Sequence, residues 1–219
     1  MKKDKGTILT VIGLITMIVL TAIKAAASSK PAANALIAAG IAFFFIVEIS
    51  EKTPDAESGL SFRRFLPDLK KPGVIPLILF MAALTVFELF LDKLLFGNEL
   101  IEHVLGRASI MAETSLITVL INQIFVVLGE EIGFRGFFLG KGMKLMLFWP
   151  AALISAAVFA LAHLTSGPAA IVACDLGQIF IDAVLYAVLY RKTGNCLISC
   201  IPHFAGNMIG YFLMPLIFA

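Results

Sequence analysis

Seven apolar segments leave this chain little choice of architecture. They run at about residues 7–27, 32–49, 73–97, 113–140, 147–164, 168–190 and 195–218. A helix needs roughly 20 residues to cross the hydrocarbon core of a bilayer, and each segment approaches or exceeds that length. The last two contain Gly, Pro and polar interruptions, so either could be a broken helix, and eight elements stay open. Of the 219 residues, 60% are hydrophobic, against about 45–50% in a soluble domain. The chain therefore reads as a single integral membrane domain over residues 1–219, with no stretch from which a separate soluble domain could form. The expected fold is all-α: a polytopic transmembrane helix bundle of seven to eight spans around a polar cavity at membrane depth.

Charge placement gives the expected orientation. Cytoplasmic loops carry an excess of Lys and Arg. Lys2, Lys3 and Lys5 precede the first span, and Lys52, Arg63, Arg64, Lys70 and Lys71 separate the second and third. Lys141 and Lys144 follow the fourth, and Arg191 and Lys192 follow the sixth; the opposite loops hold Lys24, Lys30, Lys93 and Arg107. This alternation fits a multi-pass protein of the cell membrane with a cytoplasmic N-terminus. Ala25-Ala26-Ala27 resembles a signal-peptide cleavage site, but Lys24 interrupts the neutral stretch that such a site requires, and residues 7–27 read as a span.

The one substantial hydrophilic segment, at about 50–72, reads as a cytoplasmic connector with a short surface helix around 60–66. His103, in the connection 97–107, reads as an inert loop histidine. Cys174, Cys196 and Cys200 lie in apolar segments without C-x-x-C or ligand spacing and read as packing residues.

Against this apolar background, the run Gly129-Glu130-Glu131-Ile132-Gly133-Phe134-Arg135-Gly136 places three charges inside the fourth segment. Ionisable groups at a helix centre cost roughly 2.5–3.5 kcal/mol each on insertion scales, and they mark sites, proton paths or ion paths. Residues four apart share a helix face, so Glu131 and Arg135 form an expected ion pair. Glu130 lies about 100° around the helix, with Phe134 at its own i+4 position. It is the carboxylate available to act as a general base, and Gln123 lies on the same face two turns earlier. His203 and Asn207 are also four apart, and together they offer N–H donors to a developing oxyanion. His163 ends Val158-Phe159-Ala160-Leu161-Ala162-His163.

Depth ties these groups together. If helix four stopped at Leu128, Glu130 and His163 would face opposite sides of the membrane. Continued to about Lys144, it puts Glu130 roughly 20 Å, His163 roughly 24 Å and His203 roughly 15 Å from the cytoplasmic end at 1.5 Å per residue. Asp175, Gln178 and Asp182 share a face by i, i+3, i+7 spacing. With Glu88 and Asp92, they read as partners inside the bundle.

The ordered set Glu130-Glu131-x-x-Phe134-Arg135-Gly136, Phe159-x-x-x-His163 and His203-x-x-x-Asn207 resembles the CAAX prenyl protease and bacteriocin-processing (abortive infection) family of intramembrane glutamate peptidases. The turn Arg191-Lys192-Thr193-Gly194-Asn195 fits as well. The resemblance covers a core of about 115–215 and leaves the first three segments without a family signal. It implies an intramembrane endopeptidase, in which Glu130 and His163 hold and activate water and His203 and Asn207 form the oxyanion hole. Glu131, Arg135 and Phe159 would support them. The implied partners are the lipid bilayer and a peptide or protein substrate, lipidated near a C-terminal CaaX cysteine in the prenyl-protein members. No nucleic acid is expected.

No cofactor is expected. A zinc-dependent variant would use Glu130, His163 and His203 as donors, although H-E-x-x-H is absent. Two other classes stay open. One is a non-catalytic scaffold or bacteriocin-immunity protein of the same family. The other is a proton-coupled transporter, against which the short chain shows no inverted repeat.

Overall fold

A computed structural model describes residues 2–27, 30–107 and 115–218. Residues 113–114, at the start of the fourth apolar segment, lie outside that description. The described residues are helical, with no strand. In chain order they are α1 (Lys2–Ala27), α2 (Lys30–Glu51), α3 (Phe65–Leu69), α4 (Val74–Phe96), α5 (Glu99–Arg107) and α6 (Leu116–Glu131). A π-helical segment (Ile132–Leu139) leads into α7 (Gly140–Gly142), followed by α8 (Phe148–Ala162), α9 (Ala169–Thr193) and α10 (Cys196–Phe218). Among the described residues, six helices are long and apolar enough to cross a membrane, and α8 is a shorter apolar helix of 15 residues. A helix meets its own backbone hydrogen-bonding needs, which is why such segments can cross lipid. The protein is a multi-pass helical membrane protein. Both α9 and α10 run unbroken, α10 straight through Pro202.

The fourth span continues through the charged run as one helix over Leu116–Gly142. It changes its winding instead of stopping: the turns after Glu131 widen to the π form, and all eight residues of that segment are buried. Wider turns of this kind recur at functional sites. Ser115 caps the start of α6 by accepting the Thr118 amide at 3.3 Å.

The α1–α2 hairpin packs through α2 against the π segment, α8 packs on α9, and α10 lies against α4, α6 and α9. Two backbones meet at a pair of glycines: a Cβ built on Gly40 would fall 2.7 Å from the Gly133 Cα. Small residues let membrane helices meet at backbone distance, where van der Waals packing holds them. Phe44, Phe134, Phe137 and Leu139 fill the space around this contact and are almost fully buried. The charged run is therefore wrapped on the α2, α8, α9 and α10 sides.

The hydrophilic segment differs from the expected solvated connector. Its helix is Phe65–Leu69, further along the chain than 60–66, and the segment is docked on the α9–α10 turn. Gly194 ends α9 in the left-handed conformation (φ 64°), which glycine adopts without steric cost. The next residue, Asn195, is buried and donates to the Ser61 carbonyl at 2.8 Å and to Asp68 Oδ2 at 3.1 Å. Its own oxygen accepts the Ser61 amide at 3.2 Å. Arg64 donates to the Gly194 carbonyl at 3.1 Å and Lys71 to the Thr193 carbonyl at 3.2 Å. The Cys196 amide donates to the Gly59 carbonyl at 2.8 Å.

Leaving a buried polar group unsatisfied costs about 1–3 kcal/mol. Asn195→Ala is expected to lower the unfolding free energy in detergent by roughly that amount. It should also speed proteolytic nicking within 50–72, read by timed digestion and mass spectrometry.

Candidate active site

Four elements converge on the charged run: the α6–π junction, the C-terminal end of α8, the middle of α9 and the first half of α10. Arg135 lies within the π segment, yet its Nη1 remains 3.0 Å from Glu131 Oε1, as the i,i+4 spacing predicts. Both side chains are almost completely withdrawn from solvent. The guanidinium lies over two aromatic rings, 4.5 Å from the Phe159 centroid and 4.9 Å from that of Tyr186. Cation–π contacts of this kind strengthen where water is excluded.

Glu131 has a second partner. Its Oε1 is 2.8 Å from His203 Nδ1, and because a carboxylate accepts, Nδ1 carries the proton. The opposite nitrogen, Nε2, faces Glu130 Oε2 at 3.4 Å. His203 therefore stands between the two adjacent glutamates, one on each ring nitrogen. Glu131 is sealed in, whereas 12% of the Glu130 side chain remains exposed. That asymmetry separates a structural carboxylate from one that a reactant can reach. Among the described residues, Glu131 Oε2 and Arg135 Nη1 are buried without a hydrogen-bond partner. The Arg135–Glu131 contact is thus close enough for ion pairing but is not aligned as a hydrogen bond.

His163 is the C-cap of α8, and its Nδ1 lies 2.9 Å from the Phe159 carbonyl. A carbonyl can only accept, so Nδ1 carries a proton; in the neutral tautomer that leaves Nε2 as the acceptor. The Phe159 ring stands 4.7 Å from the His163 ring and 5.9 Å from that of His203. It is thus the shared wall between the two histidines and packs edge-on against Phe134 at 4.9 Å. A 15-residue helix rises about 22 Å, short of a hydrocarbon core of about 30 Å.

Asn207 shares a face of α10 with His203, but its amide is engaged elsewhere. Nδ2 donates to Gln123 Oε1 at 2.9 Å, and Gln123 is buried on α6 two turns before Glu130. The sequence places Gln123 on this face without giving it a role; the structure makes it the holder of Asn207.

Several of the remaining membrane-depth polar groups find interior partners, whereas Glu88 has the carboxylates Asp182 and Asp92 as its electrostatic neighbours. Gln178 donates to Asp92 Oδ1 at 2.6 Å. Asp175 Oδ2 lies 3.6 Å from His103 Nε2, which also meets Thr165 Oγ1 at 3.2 Å. His103 is therefore half-buried on α5 with interior partners, not in a loop as expected. Asp182 has His203 and Arg135 as electrostatic neighbours.

Elsewhere, Lys141 pairs with Glu48 and Glu51, and Lys144 with Glu51 at 2.6 Å. These ion pairs lie beside a cavity of about 450 Å³ whose lining also includes Tyr190 and Gly140. None of the expected catalytic residues lines it. Among the described residues, no three His, Cys, Asp or Glu side chains converge as a metal-holding group.

Tyr186 is the site residue that the sequence reading missed. It is buried, stacks on His203 with centroids 5.0 Å apart and planes 18° apart, and lies beneath Arg135. Its signal was present: it stands four residues after Asp182, extending the stripe that begins at Asp175.

Fold and site together define a multi-pass membrane protein with a glutamate–histidine–arginine cluster enclosed among its helices. Residues 112–209 match the family model for Rce1-like proteins, described as Type II CAAX prenyl endopeptidase Rce1-like. The resemblance seen in the motifs holds over the stretch that carries every residue of the cluster. No curated protein and no solved structure matches.

Removing His203 would leave Glu131 Oε1 without its Nδ1–H donor, a loss of roughly 1–3 kcal/mol. His203→Ala is expected to lower the unfolding free energy by that amount. The isosteric Glu130→Gln should lie within about 1 kcal/mol of wild type. Reversible unfolding in mixed detergent micelles checks both.

Proposed function

We propose that this protein is an intramembrane endopeptidase that uses Glu130 as general base. At family level a CAAX-type intramembrane protease is the supported class; the roles below are our reading of the geometry. The observation that carries it is the division of labour between adjacent carboxylates. Glu131 is sealed against Arg135 and His203, while Glu130 is partly exposed and faces the same imidazole.

In this reading a water sits between Glu130 and His163 Nε2. Glu130 takes its proton as the oxygen attacks the scissile carbonyl, then passes that proton to the departing amine nitrogen. Water adds across the C–N bond, leaving a carboxylate and an ammonium once the second water proton has also moved to the amine. The developing oxyanion accepts N–H bonds from His203 Nε2, as an imidazolium held through Nδ1 by Glu131, and from the Asn207 amide. Donors fixed in advance toward the developing charge are a large source of rate enhancement. The substrate is a peptide or protein segment reaching membrane depth through a polar cavity, and a prenylated C-terminal cysteine is one candidate feature. The catalytic core is 115–215, the protein sits in the cell membrane with its N-terminus in the cytoplasm, and no metal takes part. The zinc variant would place the ion among Glu130, His163 and His203.

One observation favours a second reading. Most of the polar groups already engage one another, with His203 between two carboxylates and Asn207 on Gln123. A non-catalytic scaffold or immunity protein would keep such a network too.

The test uses purified detergent-solubilised protein and quenched-fluorescent peptides with and without a farnesylated cysteine. Wild type should cleave, and Glu130→Gln and His163→Ala should each lose about 10²-fold or more. Cleavage surviving both substitutions would overturn these residue roles, and a wild type that cleaves none of the peptides would favour the scaffold. Cleavage should persist in 1,10-phenanthroline; loss there, restored by added zinc, would favour the metal variant.

A further inference from the structure

His203 is the hinge of the proposed chemistry, and its two carboxylate contacts do not by themselves fix its ring. They run through Nδ1 to Glu131 at 2.8 Å and through Nε2 to Glu130 at 3.4 Å. A ring held only at those two nitrogens can still rock about the line joining them while both contacts persist. Such rocking would swing the ring face and misalign the Nε2–H from an oxyanion, where small errors of angle weaken a hydrogen bond steeply.

Tyr186 meets that remaining freedom. Its ring lies nearly parallel to the imidazole, 18° off and 5.0 Å between centroids. Phe159 meets His203 at 82° with centroids 5.9 Å apart, a longer contact and not a parallel stack. Tyr186 is itself held: it projects from the middle of α9, is buried, and has the Arg135 guanidinium 4.9 Å from its centroid. Arg135 in turn is paired to Glu131, which holds Nδ1 of the same histidine. The contacts close a loop of four residues, His203–Tyr186–Arg135–Glu131, drawn from three elements.

We propose that Tyr186 is a positioning residue, its aromatic ring holding the His203 imidazole in the plane from which Nε2 acts. The ring does this work and the hydroxyl is dispensable. This rests on the peptidase reading for its catalytic consequence, but not for its structural one. Tyr186 does not touch substrate, so the effect falls on turnover and leaves substrate binding alone.

The experiment compares full-length wild type, Tyr186→Phe and Tyr186→Leu in detergent, with Tyr186→Met as a second ring-less variant should the Leu protein fail to fold. The first readout needs no activity. The rate of His203 carbethoxylation by diethylpyrocarbonate is followed by mass spectrometry, with His103 in the same molecules as internal reference. Relative to His103, His203 should react several-fold faster in the ring-less variant and at the wild-type rate in the Phe variant. The second readout is kcat and KM on a peptide that wild type cleaves. Ring–ring contacts of this kind correspond to roughly 2- to 10-fold. The ring-less variant should lose kcat by that factor at unchanged KM, and Phe should restore it.

Equal His203 reactivity in all proteins, or Phe behaving like the ring-less variant, would overturn the proposal. So would a loss confined to KM. A wild type that cleaves nothing, with the reactivity pattern intact, would sink the peptidase reading and leave the positioning of His203 standing.

Discussion

Arg135 and Glu131 are charged groups that almost no solvent reaches, set 3.0 Å apart in the middle of the fourth span. Neither could be held there alone. A buried ion pair is not a cheap source of stability, because desolvation offsets much of the attraction. Its consequence is specificity of arrangement. Once Arg135 is inside, Glu131 must face it, and Glu131 then fixes Nδ1 of His203 and so the registry of α10 against α6. The rings of Phe159 and Tyr186 take up the guanidinium faces and bring α8 and α9 to the same point. One pair thereby locates all four elements that carry the site.

The surrounding helices are built to tolerate this. Gly40 and Gly133 let α2 approach the π segment at backbone distance. At the other end of α10, Asn195 straps the hydrophilic segment onto the α9–α10 turn through buried hydrogen bonds. That strap sets where α10 begins, two turns before His203. The placement of His203 thus depends on a polar clasp well outside the cluster.

Much of this was legible in the sequence, because the physics involved is local. Span length and hydropathy fix the apolar helices almost residue by residue, and i,i+4 spacing predicts the Glu131–Arg135 pair. The depth count requires the fourth helix to run on past the glutamates, as it does over Leu116–Gly142. What could not be read was geometry between elements. The π widening after Glu131 follows no periodicity in the residues. The docking of 50–72 relies on the backbone carbonyls of Thr193 and Gly194, which carry no side-chain signature. His103 looked like a loop residue because its partners, Asp175 and Thr165, lie more than sixty positions away in sequence. His203 and Asn207 share a helix face as expected, yet they bond to different partners on α6, Glu131 and Gln123.

The buried pair can be tested directly by a double-mutant cycle with Glu131→Gln and Arg135→Met, each protein unfolded reversibly in mixed micelles. Each single change strands a buried charge and should cost about 3–5 kcal/mol. The double variant strands none, so its loss should fall short of the sum by about 1–3 kcal/mol. Strictly additive losses, or single losses below about 1 kcal/mol, would contradict the view that this pair organises the site.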